Sequence, residues 1–506
     1  MVSITKGNRV GGFEFLEAVA SRVAVPLDGK SEQGWMNRPV RIDTPPTTVR
    51  SANRVTAVIG RNGTGKSHML ASIVETFVKL EALQEGRLRV RGGLPLERLR
   101  WRFGSDEFLV TSSDGRHRVE VNGREVVGTR PTLPSRLVAL TITPFDKFPV
   151  TRTTTDATKT VYRYLGLRDR TGRASMENLL FRSLAGLFES SDNEALKRAR
   201  ISRAFDFLGL KSRLTIVYRM RIAREVMRAA NAEEPIANAE VIRDKTRLRR
   251  VHEAIERGEL DEYKLAAALR RAGRIAQGDR IRLDASFEGG SGRSDDFDAL
   301  LPLRMVGFVQ LSAVEVEHTD GPVTDLKRAS SGQLSMATAI LALAAVMRDD
   351  SLVLIDEPEL SLHPEWQVRY ISLLLETFSS YRGCHFVIAT HSPLVVAELP
   401  ANATLVSLDD PDVPSAPELA GQSSDVLLAE AFGLPERNNL HLRDLLVSAL
   451  RAAADGEAGS DRFRGQVEHL EKVTARLPPS DGIRVVLRSL SDTASAASNE
   501  APLEAG

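Results

Sequence analysis

The chain has 506 residues, 42% hydrophobic and 27% charged, with a formal net charge of +1. That length and balance call for more than one packed lobe, and they exclude a disordered polyelectrolyte or a protein that attracts polyanions through bulk charge alone. A single cysteine, Cys384, excludes a disulfide framework and a thiolate metal centre.

Val40, Ile42 and Val49 suit short strands around Pro45-Pro46. Arg54 to Ile59 is a compact β-branched run, the pattern of a buried parallel strand. It leads into Gly60-Arg61-Asn62-Gly63-Thr64-Gly65-Lys66-Ser67, and Met69, Leu70, Ile73, Val74 and Phe77 then follow at helical spacing. Strand, glycine-rich turn and helix in this order predict a phosphate-binding loop. Its backbone N–H groups and the helix N-terminus would point at the anion. Lys66 would neutralise β- and γ-phosphate charge, and Ser67 would place its hydroxyl on magnesium. A βα turn without a ligand is the rival reading, weakened by the full eight-residue pattern.

Residues 88 to 143 read as antiparallel strands, with hairpin turns at Asp114-Gly115 and Asn122-Gly123. Leu137 to Thr143 reads as a strand ending in Pro144-Phe145-Asp146-Lys147-Phe148-Pro149. Beyond it, Leu214, Ile216, Tyr218, Met220 and Ile222 alternate as in a strand, whereas Leu265, Leu269, Ala272 and Ile275 follow helical spacing. No heptad pattern persists, which argues against a long coiled coil. From Lys197 to Arg282 basic residues outnumber acidic ones roughly two to one, most densely at Arg243, Lys245, Arg247, Arg249 and Arg250. Two readings of this group stay open: a phosphate-backbone contact surface for DNA or RNA, and a solvated helix face without an aromatic stacking platform. Asp284 to Asp296 reads as a loop, and Leu303 to Val316 as strands returning to the core.

Ser330-Ser331-Gly332-Gln333 opens an apolar helix, Leu334 to Met347. Small residues with free N–H groups at a helix start suit a phosphate, and an N-capped core helix is the plain alternative. Ser351 to Ile355 reads as a buried strand with Asp356 at its carboxyl end and Glu357 next. His385 to Ala389 is a further strand, delivering His391 within Ala389-Thr390-His391-Ser392-Pro393. Thr404 to Leu408 reads as the last strand, and Asp409, Asp410 and Asp412 as a turn. Asp425 to Leu434 and Leu440 to Ala452 read as amphipathic helices, and Ser489 to Gly506 as disordered. The start Met1 to Lys6 leads into no signal-type apolar region, and the most apolar run, Met336 to Met347, is shorter than the ~18 residues of a membrane helix. No membrane partner and a cytoplasmic location are therefore expected.

Taken in order, these motifs resemble an ABC/SMC-like cytosolic AAA-family ATPase. The resemblance implies an α/β fold, a P-loop NTPase of ABC-ATPase head type. A mixed sheet, an antiparallel β subdomain and a largely helical insertion belong to that expectation. The expected units are an N-terminal lobe (1–150), a basic helical insertion (151–300), a C-terminal lobe with signature, Walker B acids and histidine (301–420), a helical extension (421–488) and a disordered tail (489–506). It also implies ATP and Mg2+ as cofactors. Gly60–Ser67 would bind the nucleotide, and Ser67 and Asp356 the metal. Glu357 would be the general base, with His391 and Lys66 on the γ-phosphate. Ser330, Ser331, Gly332 and Gln333 would face the phosphate loop of a second subunit, in a homodimer or higher oligomer. The chain departs from the pattern twice. Serine stands where the first of two signature glycines usually stands, and no glutamine follows the Leu137–Thr143 strand, where Asp146 is the candidate substitute. The segment Asp356 to Gln367 (DEPELSLHPEWQ) resembles the overcoming-lysogenization-defect, Gabija and Septu (PtuA) type phage-defence ATPases. That implies antiviral defence through a partner nuclease. RecF-type relatives imply an alternative, an ATP-gated DNA-binding clamp or sensor in DNA repair. A transporter subunit fits neither the missing glutamine nor this segment.

Overall fold

The computed structural model describes residues 12–20, 40–42, 53–86, 93–113, 116–126, 130–150, 160–169, 172–188, 194–232, 245–288 except 257 and 259, 295–409, 416–419, 421–433, 439–475, 477 and 481–499. Strands β1 (Phe13–Ala20), β2 (Val40–Arg41) and β3 (Arg54–Ile59) precede the helix Lys66–Gln84. Then come β4 (Leu96–Phe103), β5 (Asp106–Ser113), β6 (Arg116–Val121), β7 (Arg124–Glu125), β8 (Arg136–Thr141) and β9 (Tyr162–Leu165). A stretch with several helices carries β10 (Leu210–Met220) and β11 (Arg280–Ser286), followed by β12 (Val309–His318) and β13 (Val323–Asp325). The helix Ser331–Val346 leads to β14 (Ser351–Asp356), β15 (His385–Ala389) and β16 (Thr404–Ser407).

Parallel and antiparallel strands are sorted into separate sheets. The central sheet runs β16-β3-β15-β14-β8-β9, and every pairing in it is parallel. Its strands read as continuous apolar runs because both faces are covered. Val353 and Ile355 of β14 face the helix Ser331–Val346, while Leu352 and Leu354 join Met69, Leu70 and Ile73 of the helix Lys66–Gln84. A second sheet, β2-β1-β4-β5-β6-β7, is antiparallel and lies over that same helix. An aromatic chain joins them: Phe77 on the helix is 6.1 Å from Phe13 and 5.2 Å from Trp101, which stacks on Phe108 at 5.4 Å. The third sheet, β11-β10-β12-β13, is antiparallel too. Three helices, Leu440–Ala454, Asp461–Thr474 and Gly482–Asn499, share a small core of their own around Phe463, Leu470 and Leu487.

Several elements differ from expectation. β1 was not anticipated. Leu303 falls in the helix Asp295–Met305, so the returning strand starts only at Val309. Residues 489–499, expected within a disordered tail, continue the last helix, because Leu487, Leu490 and Ala494 recur at helical spacing and bury against its neighbours. Asn122-Gly123 forms a tight turn with φ of 52° and 74°, the left-handed pair a two-residue hairpin requires. Val49 and Asp114-Gly115 lie outside the described residues, although the flanking Ser113 and Arg116 are paired. The longest described helix has 19 residues, and none is long and apolar enough to cross a membrane.

Candidate nucleotide-binding site

Because the central strands are all parallel, the loops after β3, β8, β14, β15 and β16 emerge at one edge, the edge where open α/β sheets bind ligands. The phosphate loop follows β3. Gly65 caps the helix Lys66–Gln84 in the left-handed region, with φ of 92°, a geometry that disfavours a side chain. Lys66 is buried, and its Nζ donates to Gly60 O at 2.8 Å and Arg61 O at 3.1 Å. Nζ also lies 3.2 Å from Nδ1 of His391, which comes from the loop after β15. An ammonium can only donate, so Nδ1 accepts and Nε2 carries the imidazole proton. That Nε2 lies 3.4 Å from Oε1 of Glu357. Lys66, His391 and Glu357 thus form one chain of contacts across three loops. The His391 hydrogen bond holds the Glu357 carboxyl below its ordinary range. Glu357 itself sits at φ of 48°, unusual for a non-glycine residue, and its N–H donates to Ala389 O at 2.9 Å.

Ser67 and Asp356 meet beside this chain, with Ser67 Oγ 3.1 Å from Asp356 Oδ1. Asp356 is buried, its Oδ2 has no hydrogen-bond partner, and burial pushes its carboxyl up to about 7. A hydroxyl and a carboxylate with a spare buried oxygen are hard donors, the type a magnesium ion takes. The residues therefore fit the implied metal.

Three residues outside the expected site set build the surroundings. Glu359 Oε1 accepts from the backbone N of His391 at 2.6 Å. Gln367 Oε1 is 2.7 Å from Ser392 Oγ, while its Nε2 donates to Leu362 O at 3.0 Å. Asp409 is no simple turn residue. Its carboxylate takes the Arg61 backbone N at 2.6 Å and lies 3.3 Å from Arg61 Nε, so the end of β16 grips the phosphate loop. Asp410 and Asp412 lie outside the described residues.

Asp146 does not take the place of the missing glutamine. Its side chain is fully buried, 2.9 Å from Tyr164 Oη and 2.6 Å from Arg168 Nη2, and is committed to the fold. The next residue back, Phe145, is 84% exposed at the same sheet edge.

Ser330 caps the helix Ser331–Val346, accepting from Gln333 N at 3.3 Å. Ser330, Ser331 and Gln333 are exposed, whereas the helix from Ser335 onward is buried. A Cβ on Gly332 would lie 2.9 Å from Ser361 O, so this glycine is required where the helix start meets the loop after Asp356. None of the hydrogen bonds of these four residues reaches the phosphate loop of the same chain.

The basic group is elsewhere. Arg243 lies outside the described residues. Lys245 and Arg247 belong to the helix Lys245–Glu256. On that helix Arg249 is 3.3 Å from Glu253, and Arg250 approaches Gly307.

A protein-family model described as "AAA domain, putative AbiEii toxin, Type IV TA system" matches residues 228–397, a stretch that includes the signature, Asp356, Glu357 and His391 but not Gly60–Ser67. Protein ea59 of Escherichia phage lambda is 31% identical over an alignment of 150 residues that covers 28% of this chain and 27% of that protein. Among solved structures, the SMC head domain from Thermotoga maritima is 16% identical, with a TM-score of 0.27 over 79% of this chain and 94% of that one. The Smc head domain with an extended coiled coil, bound to the C-terminal domain of ScpA and derived from Pyrococcus furiosus, is 16% identical, with a TM-score of 0.29 over 78% and 92%. The parallel sheet thus brings the loop Gly60–Ser67, the acids Asp356 and Glu357 and the histidine His391 together at one edge, a candidate magnesium–nucleotide site.

Proposed function

We propose that this protein binds and hydrolyses ATP, and that it does so as a nucleotide-sandwich dimer. The observation that carries the reading is the Lys66–His391–Glu357 chain beside the Ser67–Asp356 pair. ATP would enter over the phosphate loop, and its phosphates would replace Gly60 O and Arg61 O as partners of Lys66. Bound magnesium would supply charge neutralisation at the β- and γ-phosphates. Release of Lys66 frees Nδ1 of His391, while its Nε2–H stays on Glu357. Glu357, kept ionised by its hydrogen bond to His391, is the acceptor for a proton from the attacking water.

The exposed N-terminus at Ser330–Gln333 would complete the site of a second copy, its dipole meeting the γ-phosphate. Exposed Phe145 suits burial in the same interface. The output is a conformational change passed to an effector, a partner nuclease in defence against phage. Supporting that assignment, the segment Asp356 to Gln367 that resembles the defence ATPases places Glu359 and Gln367 against the His391–Ser392 turn.

Lys66→Ala tests the chemistry. The variant should lose ATP hydrolysis, with nucleotide affinity down by at least tenfold. Wild-type turnover in Lys66→Ala would remove the basis for the mechanism.

A further inference from the structure

Away from the nucleotide site, three side chains from three elements converge. Glu430 lies on a π-helical turn, Leu427–Ala431, His441 on the helix Leu440–Ala454, and His469 on the helix Asp461–Thr474. Nε2 of His441 is 2.8 Å, and Nε2 of His469 is 2.9 Å, from the same atom, Oε1 of Glu430. One donor atom from each residue lies within 4.8 Å of the others. The carboxylate is nearly enclosed, at 9% exposure, while His441 at 24% and His469 at 42% leave one side open to solvent.

Two imidazole nitrogens and a carboxylate oxygen are the donor set of borderline first-row divalent ions. Around an ion with bonds of about 2.0–2.1 Å, tetrahedral donors stand about 3.4 Å apart. To admit one, each histidine withdraws by about 0.5–0.6 Å from Oε1, and the two imidazole nitrogens, within 4.8 Å of each other, settle at about the same 3.4 Å. The backbone is held in place for this. Asp425 O accepts from Asn439 Nδ2 at 2.8 Å, and Asp425 Oδ2 from Leu440 N at 3.0 Å, which fixes the start of the His441 helix against the turn that carries Glu430. The turn closes with Phe432 N on Leu427 O at 3.1 Å, the wide i to i+5 geometry that is frequent at functional sites.

We propose that Glu430, His441 and His469 bind one divalent transition-metal ion of the zinc class, with solvent as the fourth ligand. The ion would pin the C-terminal helices to the nucleotide head. The turn Leu427–Ala431 packs on the short helix Pro393–Ala397, which begins just after His391. Lys472 lies near His469 and subtracts from the affinity.

The test uses the untagged full chain, stripped with a chelator and titrated with Zn2+ by calorimetry, with Co2+ absorption as the spectroscopic probe. One ion per chain is expected, with visible cobalt bands of a low-coordinate nitrogen–oxygen site. His441→Gln, His469→Gln and Glu430→Gln should each weaken Zn2+ binding at least tenfold, and His117→Gln, an exposed site elsewhere, should not. Zn2+ should raise the melting temperature of the wild type and of His117→Gln only. Absence of stoichiometric uptake by the wild type would overturn the proposal without any variant. So would equal uptake by the wild type and all three cluster variants, which means adventitious surface binding only.

Discussion

Lys66 and Asp356 share one physical feature: each is charged in its working form, and each is held where water is scarce. Burial pulls Lys66 down to about 8 and pushes Asp356 up to about 7. Binding of magnesium–nucleotide needs the carboxylate ionised and the ammonium charged. Affinity should therefore fall roughly tenfold per pH unit below about 7 and decline again above about 8. Asp356→Asn should flatten the acid limb and weaken binding throughout, and equilibrium binding of a fluorescent ATP analogue across pH reads both. Glu359 and Asp409 separate positioning from binding. Glu359→Ala removes the acceptor of the His391 backbone N, so kcat should fall roughly 10–100-fold while nucleotide Kd stays nearly unchanged. Asp409→Ala releases the Arg61 N–H, a charge-assisted bond worth about 1.5–3 kcal/mol, so Kd should rise roughly 10–100-fold. The meeting of Lys66, Ser67, Asp356 and Glu357 was legible because each sits in a contiguous motif of characteristic spacing. Asp409 was not, since only the register of β16 on β3 brings it to Arg61, 348 residues away in sequence.

At the scale of elements, legibility followed the two periodicities. β3, β8, β14 and β15 were visible as apolar runs, and the helix after the phosphate loop as a 3.6-residue stripe. β1 escaped because its FEFLEAVA sequence shows no clean alternation, being buried on both faces. Its two acids are hidden by ion pairs instead. Glu14 lies 2.7 Å from Arg54 Nη2 and 2.8 Å from Arg102 Nη1, and Glu17 lies 3.0 Å from Arg41. Such pairing is non-local and leaves no local trace. The end of the last helix, residues 489–499, escaped because its small residues resemble a linker, and only the facing helices make the Leu487–Leu490–Ala494 stripe a core. Two substitutions test element packing. Phe77→Ala empties the aromatic junction between the phosphate-loop helix and the antiparallel sheet, and should cost about 3–5 kcal/mol in denaturant unfolding. Gly332→Ala places a methyl group 2.9 Å from Ser361 O and should displace the helix start from the loop after Asp356. A lowered melting temperature together with lowered ATP turnover is the expected outcome, and an unchanged variant would show that this contact sets neither.

At the scale of the molecule, one sheet edge gathers the phosphate loop, the paired acids, the histidine and the Asp409 clamp, while the exposed start of the helix Ser331–Val346 makes no hydrogen bond to the phosphate loop of the same chain. In the proposed dimer the two would meet across two copies, and hydrolysis, with Glu357 as the base, would part them again. The most direct measurement is the solution mass of Glu357→Gln by light scattering, with and without ATP and magnesium. A shift from monomer to dimer mass on adding ATP, abolished by a further Lys66→Ala or by Ser331→Arg at the signature, is the predicted result. A mass unchanged by ATP, in a variant shown to bind it, would contradict the account.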